Sequence, residues 1–252
     1  ADPGALVEDA VTLINFSNVP LVFRIYAADV VVGDDGELTA LGADEESVDV
    51  GSWVDLGAEQ IRVEAGSQAT IPITVRVPDN AAPGDHSGVI LAANAARSTG
   101  PEGQQVEVDR RTGTSLRVRV TGPLFPELAV ADIRTDFNPK LNPLGATATV
   151  TYVVENRGNV RAGGSASASI GGPFGLGRQE GTATEFAELA PGERVTFTQE
   201  FTGVPALLLV ATDVEIIPNT GEVASVSRRT NSLAPPVAVL LLVLAALLAL
   251  LA

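Results

Sequence analysis

The clearest pattern in the chain is an alternation of apolar and polar residues with a period of two. In residues 70–77, Ile71, Ile73, Val75 and Val77 fall on one side, and Thr70, Pro72, Thr74 and Arg76 on the other. Leu116, Val118 and Val120 alternate with Arg117 and Arg119 in the same way. In residues 147–154, Ala148, Val150, Tyr152 and Val154 alternate with threonines, and Val195, Phe197 and Phe201 continue the habit further on. Successive side chains of a strand point to opposite faces, so each run predicts a half-buried strand of an antiparallel sheet. Pro72 has no amide to donate, which predicts a sheet edge or a bulge at that position.

Turn signals separate these runs: Gly33-Asp34-Asp35-Gly36, the Pro- and Gly-bearing stretch 78–84, and Ala190-Pro191-Gly192-Glu193. No stretch ahead of residue 232 carries the periodicity of an amphipathic helix. The predicted fold class is all-β: two tandem immunoglobulin-like β-sandwich domains followed by a single C-terminal transmembrane α-helix. The first domain is expected over 1–122 and the second over 123–231, with the boundary near Thr121-Gly122-Pro123. An internal echo supports two copies of one plan. Asn15-Phe16-Ser17-Asn18-Val19 is matched by Asn156-Arg157-Gly158-Asn159-Val160. Gly66 leads through Thr70-Ile71 to Val77-Pro78, as Gly192 leads through Thr196-Phe197 to Val204-Pro205.

The chain ends on a different pattern. Residues 237–252 are Val, Ala and Leu alone, and with residues 232–236 a helix would reach roughly 30 Å, one bilayer crossing. Residues 232–252 are therefore expected to form the span, with Pro235 and Pro236 in its first turn, where missing donors cost nothing. The start, Ala1-Asp2-Pro3-Gly4, reads as a mature end left after removal of a signal peptide. Together these predict a single-pass protein of the cell membrane with residues 1–231 extracytoplasmic.

Composition narrows the partners. A net charge of −15 and a pI near 4.4 argue against nucleic acid, whose binding needs cations to displace counterions, and against docking on anionic lipid. Cysteine is absent, which removes disulfides, thiolate nucleophiles and cysteine metal sites. The chain has one histidine and no G-x-S-x-G elbow, so neither a zinc site nor a catalytic triad is expected, and no enzyme and no cofactor.

The order of several short motifs resembles the WxL-interacting protein family of Gram-positive surface proteins. They are Asn15-x-Ser17-Asn18-x-Pro20, Ser52-Trp53-Val54, Val77-Pro78, residues 83–88 around His86, Arg110-Arg111-Thr112-Gly113, Asn138-Pro139, Asn156-x-Gly158-Asn159-Val160 and Gly172-Pro173-Phe174-Gly175. The resemblance covers nearly the whole chain and implies a first domain of peptidoglycan-binding type and a second that meets proteins at the cell surface. The Ala- and Asp-rich, Lys-poor composition points to an actinobacterial member.

Trp53, the sole tryptophan, is a candidate for stacking on wall glycan, or else an aromatic closing a sandwich core. Arg110, Arg111, Arg117 and Arg119 form the densest basic cluster, suited to carboxylates or phosphates of the wall or to a solvated sheet face. Asp34, Asp35 and Glu37 with Asp44, Glu45 and Glu46 make an acidic loop region, either a calcium site or a solvated hairpin, without the EF-hand spacing. Ala238, Ala245 and Ala249 offer small residues for helix packing. The function these features favour is a membrane-anchored cell-envelope adaptor binding peptidoglycan or another surface protein. The alternative is an accessory subunit of an integral membrane complex, packed against other membrane subunits through its transmembrane helix.

Overall fold

The structure, a computed structural model, describes the chain except residues 34, 35, 100–104, 141, 143, 144, 207, 220–223 and 252. For 95–99, 105–109, 238, 239, 244 and 251 it describes the backbone alone. The chain forms two compact units, Ala1–Leu124 and Phe125–Ala252. Each has antiparallel sheets around its own apolar core, so the all-β, sandwich-like expectation holds.

Unit 1 contains β1 (Leu6–Ile14), β2 (Leu21–Val32), β3 (Leu38–Ala40), β4 (Val54–Leu56), β5 (Gln60–Val63), β6 (Gln68–Arg76), β7 (Gly84–Thr99) and β8 (Gln105–Val120). One sheet has the order β1-β6-β4 and the other β3-β2-β7-β8, with β5 also on β2. Leu13, Phe23, Ile25, Ile71, Ile73 and Ile90 fill the space between them. The alternation read over residues 70–77 and 116–120 is the reason: Ile71, Ile73, Val75, Val77 and Val120 are buried while Arg76, Arg117 and Arg119 are exposed.

Pro72 does not mark an edge strand, because β6 lies between β1 and β4. β4 pairs only with residues 73–75 and stops short of it. The Pro72 carbonyl accepts from the Gly57 amide at 2.9 Å on that side. A strand residue's amide and carbonyl point the same way, so the missing donor faces the gap where β4 has ended.

Unit 2 contains β9 (Leu128–Asn138), β10 (Ala146–Asn156), β11 (Ala162–Gly171), β12 (Gln179–Glu180), β13 (Thr184–Leu189), β14 (Arg194–Val204), β15 (Leu208–Pro218), β16 (Val226–Ala234) and α1 (Val237–Leu251). One sheet has the order β14-β10-β9 and the other β12-β11-β15-β16, with β13 also on β11. Ala148, Val150, Tyr152 and Val154 are at most 1% exposed.

The internal echo is physical. Asn15 is buried, and its side-chain amide donates to the carbonyls of Val19 at 2.8 Å and Val63 at 3.0 Å. Asn156 is buried likewise and donates to Val160 at 2.7 Å and Leu189 at 2.8 Å. Each asparagine thus closes the turn after one strand and ties it to the strand before the next glycine turn. At those turns the Ser67 and Glu193 carbonyls accept from the Asn15 and Asn156 amides. Gly66 and Gly192 hold φ of +64° and +81°, a conformation that a Cβ disfavours. By register β1 corresponds to β10, β2 to β11, β6 to β14, β7 to β15 and β8 to β16.

The expected transmembrane helix is corrected. Ser232, Leu233 and Ala234, counted toward the span, belong to β16, where Leu233 pairs with Leu209 and Ser232 with Val210. Pro235 and Pro236 then delay the helix, and α1 is 15 residues long, about 22 Å against a hydrocarbon core of about 30 Å. Among the described residues no helix is long and apolar enough to cross a membrane.

Candidate binding groove

The two units differ at one place in their shared plan. In unit 2, β10 is flanked on both sides, by β14 and by β9, and its burial is nearly continuous. In unit 1, the corresponding β1 pairs with β6 alone, and among the described residues no strand lies on its other edge. The other sheet ends at β8, beside which no strand lies among the described residues, although Ala1 bonds its far end at Arg119 and Thr121. Between these two edges lies a groove of about 260 Å³, lined by Val11, Leu13, Phe16, Ile90, Thr112 and Thr114 among others. Val11 and Leu13 share one face of β1, and Leu13 and Ile90 are core residues seen through the opening. Phe16, at the groove, is 89% exposed.

What closes the equivalent opening in unit 2 is β9. Ile133 pairs with Tyr152, Val130 with Val154 and Leu128 with Asn156, and Leu128 and Val130 are buried. Thr135 meets Thr212 of β15 at 2.8 Å between hydroxyls, and the Arg228 guanidinium of β16 donates to the Val130 carbonyl at 2.8 Å. Register places Thr114 in unit 1 where Arg228 stands in unit 2, opposite Ile90 as Arg228 is opposite Val214. The segment leading into β9 crosses the asparagine turn closely. The Arg157 and Asn159 amides donate to the Glu127 and Phe125 carbonyls, and a Cβ on Gly158 would lie 2.2 Å from the Phe125 oxygen. Unit 1 has Ser17 at that position, its hydroxyl bonded locally to Asn15 at 2.7 Å and to the Val19 carbonyl at 2.8 Å.

Trp53 is not presented to solvent. It is 7% exposed, packs with Val50, Val75, Val77 and Val120, and lies against the His86 ring at 4.9 Å. The turn that carries it is fixed by Asp29, a buried carboxylate in the apolar strand β2. Asp29 accepts from the amides of Val48, Asp49 and Gly51 at 2.6–2.8 Å. A lone acidic residue in an apolar run was the only sequence signal for this role. His86 contacts the Asp49 carboxylate through Nδ1 at 2.7 Å and the Ala82 carbonyl through Nε2 at 2.8 Å. Both partners are acceptors, so the doubly protonated ring satisfies both, and the bond to Asp49 raises the histidine pKa above its ordinary value.

The four arginines do not come together. They are strung along β8, opposite Asn94, Ala93, Ser87 and Asp85 in turn, so Arg110 and Arg119 are about 30 Å apart. Arg119 is held by the Asp85 carboxylate through two bonds at 2.5 and 2.7 Å. Asp34 and Asp35 lie outside the described residues, as does the side chain of Ala238. Asp44 pairs with Arg24 at 3.4 Å, and among the described residues no three carboxylate or histidine groups gather as metal ligands would. Ala245 and Ala249 are exposed on α1.

In unit 2 Glu155 is bonded to Arg157 at 2.8 Å and Arg194 at 2.7 Å. Those two guanidinium groups, Arg157 first, lower its pKa. The Tyr152 ring stacks on Phe197 at 5.3 Å, and its hydroxyl is buried with no hydrogen-bond partner among the described residues. That burial pushes its pKa up to about 12.

No family model matches the chain, and no curated protein matches it. Solved structures do. A chaperone–tip adhesin complex of CFA/I fimbriae is similar at 10% identity and TM-score 0.45, covering 91% of this chain and 94% of that one. The chaperone of class 5 fimbriae is similar at 10% identity and TM-score 0.43, with the same coverage. A Salmonella enterica pilin–chaperone complex is similar at 13% identity and TM-score 0.40, covering 89% and 88%. At this level of overlap, what the chain does has to be read from its own geometry.

The resemblance to the WxL-interacting family is corrected: no family model supports it. The Gram-positive, actinobacterial source and the peptidoglycan ligand fall with it. So do the membrane-anchored adaptor, the membrane-complex subunit and the single-pass placement with residues 1–231 outside, because each needed a bilayer-spanning helix. Several of the short motifs that suggested the family are turns, whereas Arg110-Arg111-Thr112-Gly113 runs inside β8. The asparagine motifs are explained by buried side-chain bonds that any chain closing the same turn would favour.

Proposed function

We propose that this is a non-catalytic protein-binding module of two immunoglobulin-like sandwiches, in which unit 1 receives an extended segment of another protein. The observation that carries this is the groove between β1 and β8, open where unit 2 is closed by β9. Apolar residues and unpaired strand edges exposed together are costly in a lone molecule and are what β-addition exploits. The immunoglobulin-like assignment is supported by the three-stranded β9-β10-β14 sheet beside one containing β11, β15 and β16, with the same pairings recurring in unit 1. A non-catalytic role is supported by the engagement of His86 on both ring nitrogens.

An array of 15-residue peptides probed with the labelled full chain tests the proposal. Peptides that alternate apolar and polar residues should be selected. Thr112→Arg, an exposed change that places a long side chain over the groove, should weaken them about ten-fold, 1.4 kcal/mol. An array with no preference, or one that Thr112→Arg leaves unchanged, sinks it.

A further inference from the structure

Among the exposed apolar residues are two sets, Ile14 and Phe16 at the groove of unit 1 and a set in unit 2 that includes Phe174, Leu208, Leu233 and the leucines of α1, besides others such as Leu6 and Val48. Nothing in the structure shows what covers the second group. For the first, unit 2 supplies a worked example of the occupant.

Resting on the proposed binding role, we infer that the occupant of unit 1 is a single β-strand. It pairs through its main chain with the free edge of β1, antiparallel, in the register that β9 uses on β10. β1 maps onto β10 through the shared asparagine turn and the shared pairing with β6 or β14: Leu13 stands for Val154, Val11 for Tyr152 and Asp9 for Val150. On β10 these three face Val130, Ile133 and Thr135 of β9. The occupant therefore presents an apolar residue opposite Leu13 and another opposite Val11, completing the layer that Ile71 and Ile90 begin.

The third position is where the two units part. Val150 is fully buried, but Asp9 is exposed, on the same face of β1 as Val11. Opposite this carboxylate, in a chain of net charge −15, a cation suits this place in the occupant. The partner is thus an extended, basic protein segment reading apolar, apolar, then Lys or Arg, on one face. The strand stops at the level of Leu13. Ser17 occupies the position of Gly158, so the close backbone crossing that leads into β9 has no counterpart in unit 1.

Backbone pairing has a signature that a greasy pocket lacks. Only every second amide of an added strand points at its neighbour. The probe is a fluorescein-labelled eight-residue peptide, Thr-Val-Thr-Val-Thr-Lys-Thr-Lys, which carries Val, Val and Lys in turn on one face, titrated into the full chain and followed by anisotropy. Its companions are versions N-methylated on the threonine amides or on the valine and lysine amides, and a block peptide of the same composition. One methylated frame should bind about ten-fold more weakly than the parent while the other binds within about three-fold, and the block peptide should fail. Asp9→Lys should weaken the parent peptide by a few-fold, and Thr112→Arg, an exposed change at the groove, by more.

If both methylated frames bind like the parent and Thr112→Arg still blocks them, strand pairing is wrong while the groove remains a binding site. If no peptide binds, the binding role itself fails. Concentration-dependent dimerisation abolished by Thr112→Arg, and not competed by the peptide, would give the groove to a second copy and overturn the basic partner. Phe16→Ala, an exposed change at the groove, is the check that does not touch the core.

Discussion

β1 and β10 occupy the same place in two copies of one plan, yet only two β1 residues, Val11 and Leu13, are even partly buried, whereas every β10 residue is. The difference lies in the neighbours. β10 has β9 on its second edge, and β1 among the described residues has nothing there. Composition follows the environment. β10 carries Ala148, Val150, Tyr152 and Val154 inward, while β1 puts Val7, Asp9, Val11 and Leu13 on the corresponding face. A strand flanked on one side tolerates a carboxylate that a flanked and covered strand does not.

The glycine–serine exchange at the asparagine turn should break this comparison most sharply. Gly158→Ser brings a Cβ to within 2.2 Å of a backbone oxygen, and a backbone contact cannot swing aside as a side chain can. Unit 2 should lose about 3 kcal/mol in denaturant unfolding. The reverse change, Ser17→Gly, removes only local hydroxyl bonds and should cost unit 1 less than about 1 kcal/mol. Equal effects would mean that the crossing into β9 does not distinguish the units.

Next comes Tyr152→Phe. It removes a buried hydroxyl without a partner among the described residues while keeping the stack on Phe197, and should stabilise unit 2 by about 1 kcal/mol. A loss of stability on thermal melting would show that the hydroxyl is satisfied after all.

The smallest effects are those of pH, and they run in opposite directions. Folding raises the His86 pKa, so its contribution to unit 1 is fully present below the unfolded value near 6.5 and is lost as pH rises through the folded value. Trp53 packs on His86 and is the sole tryptophan, so its fluorescence in urea at pH 5.5 and 8.5 reports unit 1. The midpoint should fall at the higher pH, and His86→Gln should flatten the difference. Folding lowers the Glu155 pKa, so its contribution to unit 2 is present above the unfolded carboxylate value near 4.3 and is lost as pH falls through the lowered one. Protection factors of the β10 amides, exchange compared with the intrinsic rate at the same pH, should fall in acid, and less so in Glu155→Gln. A unit 1 midpoint that rises with pH, or β10 protection indifferent to acid, would remove the corresponding ion pair from the account.

Much of the strand framework was legible in the sequence because a pleated strand forces a period of two and each sheet has one dry face. Ile71, Ile73, Val75, Val150, Tyr152 and Val154 could be placed by that rule alone. The repeated asparagine was legible as an echo, though not the bonds that explain it, because those reach strands 33 and 48 residues away. The groove was not legible. Val11 and Leu13 look like any strand's apolar face, and whether a further strand covers their edge depends on contacts far along the chain. Trp53 and the four arginines illustrate the converse. Residue type left a binding role open for each beside a plainer one, a core aromatic or a solvated face, and only packing against His86, or spacing along one long strand, reveals what they touch.

By itself the sequence determined the class of fold, the turns, the buried faces and the repetition of one plan, since these follow from local stereochemistry and the two-residue period. Tertiary structure decided which edges are paired and which stand open. It also drew residues 232–234 into β16 and out of the apolar terminal run, because Ser232 and Leu233 found main-chain partners in β15. Hydrogen-bond partners across a sheet are set by register between distant segments, and register is not written in any one of them.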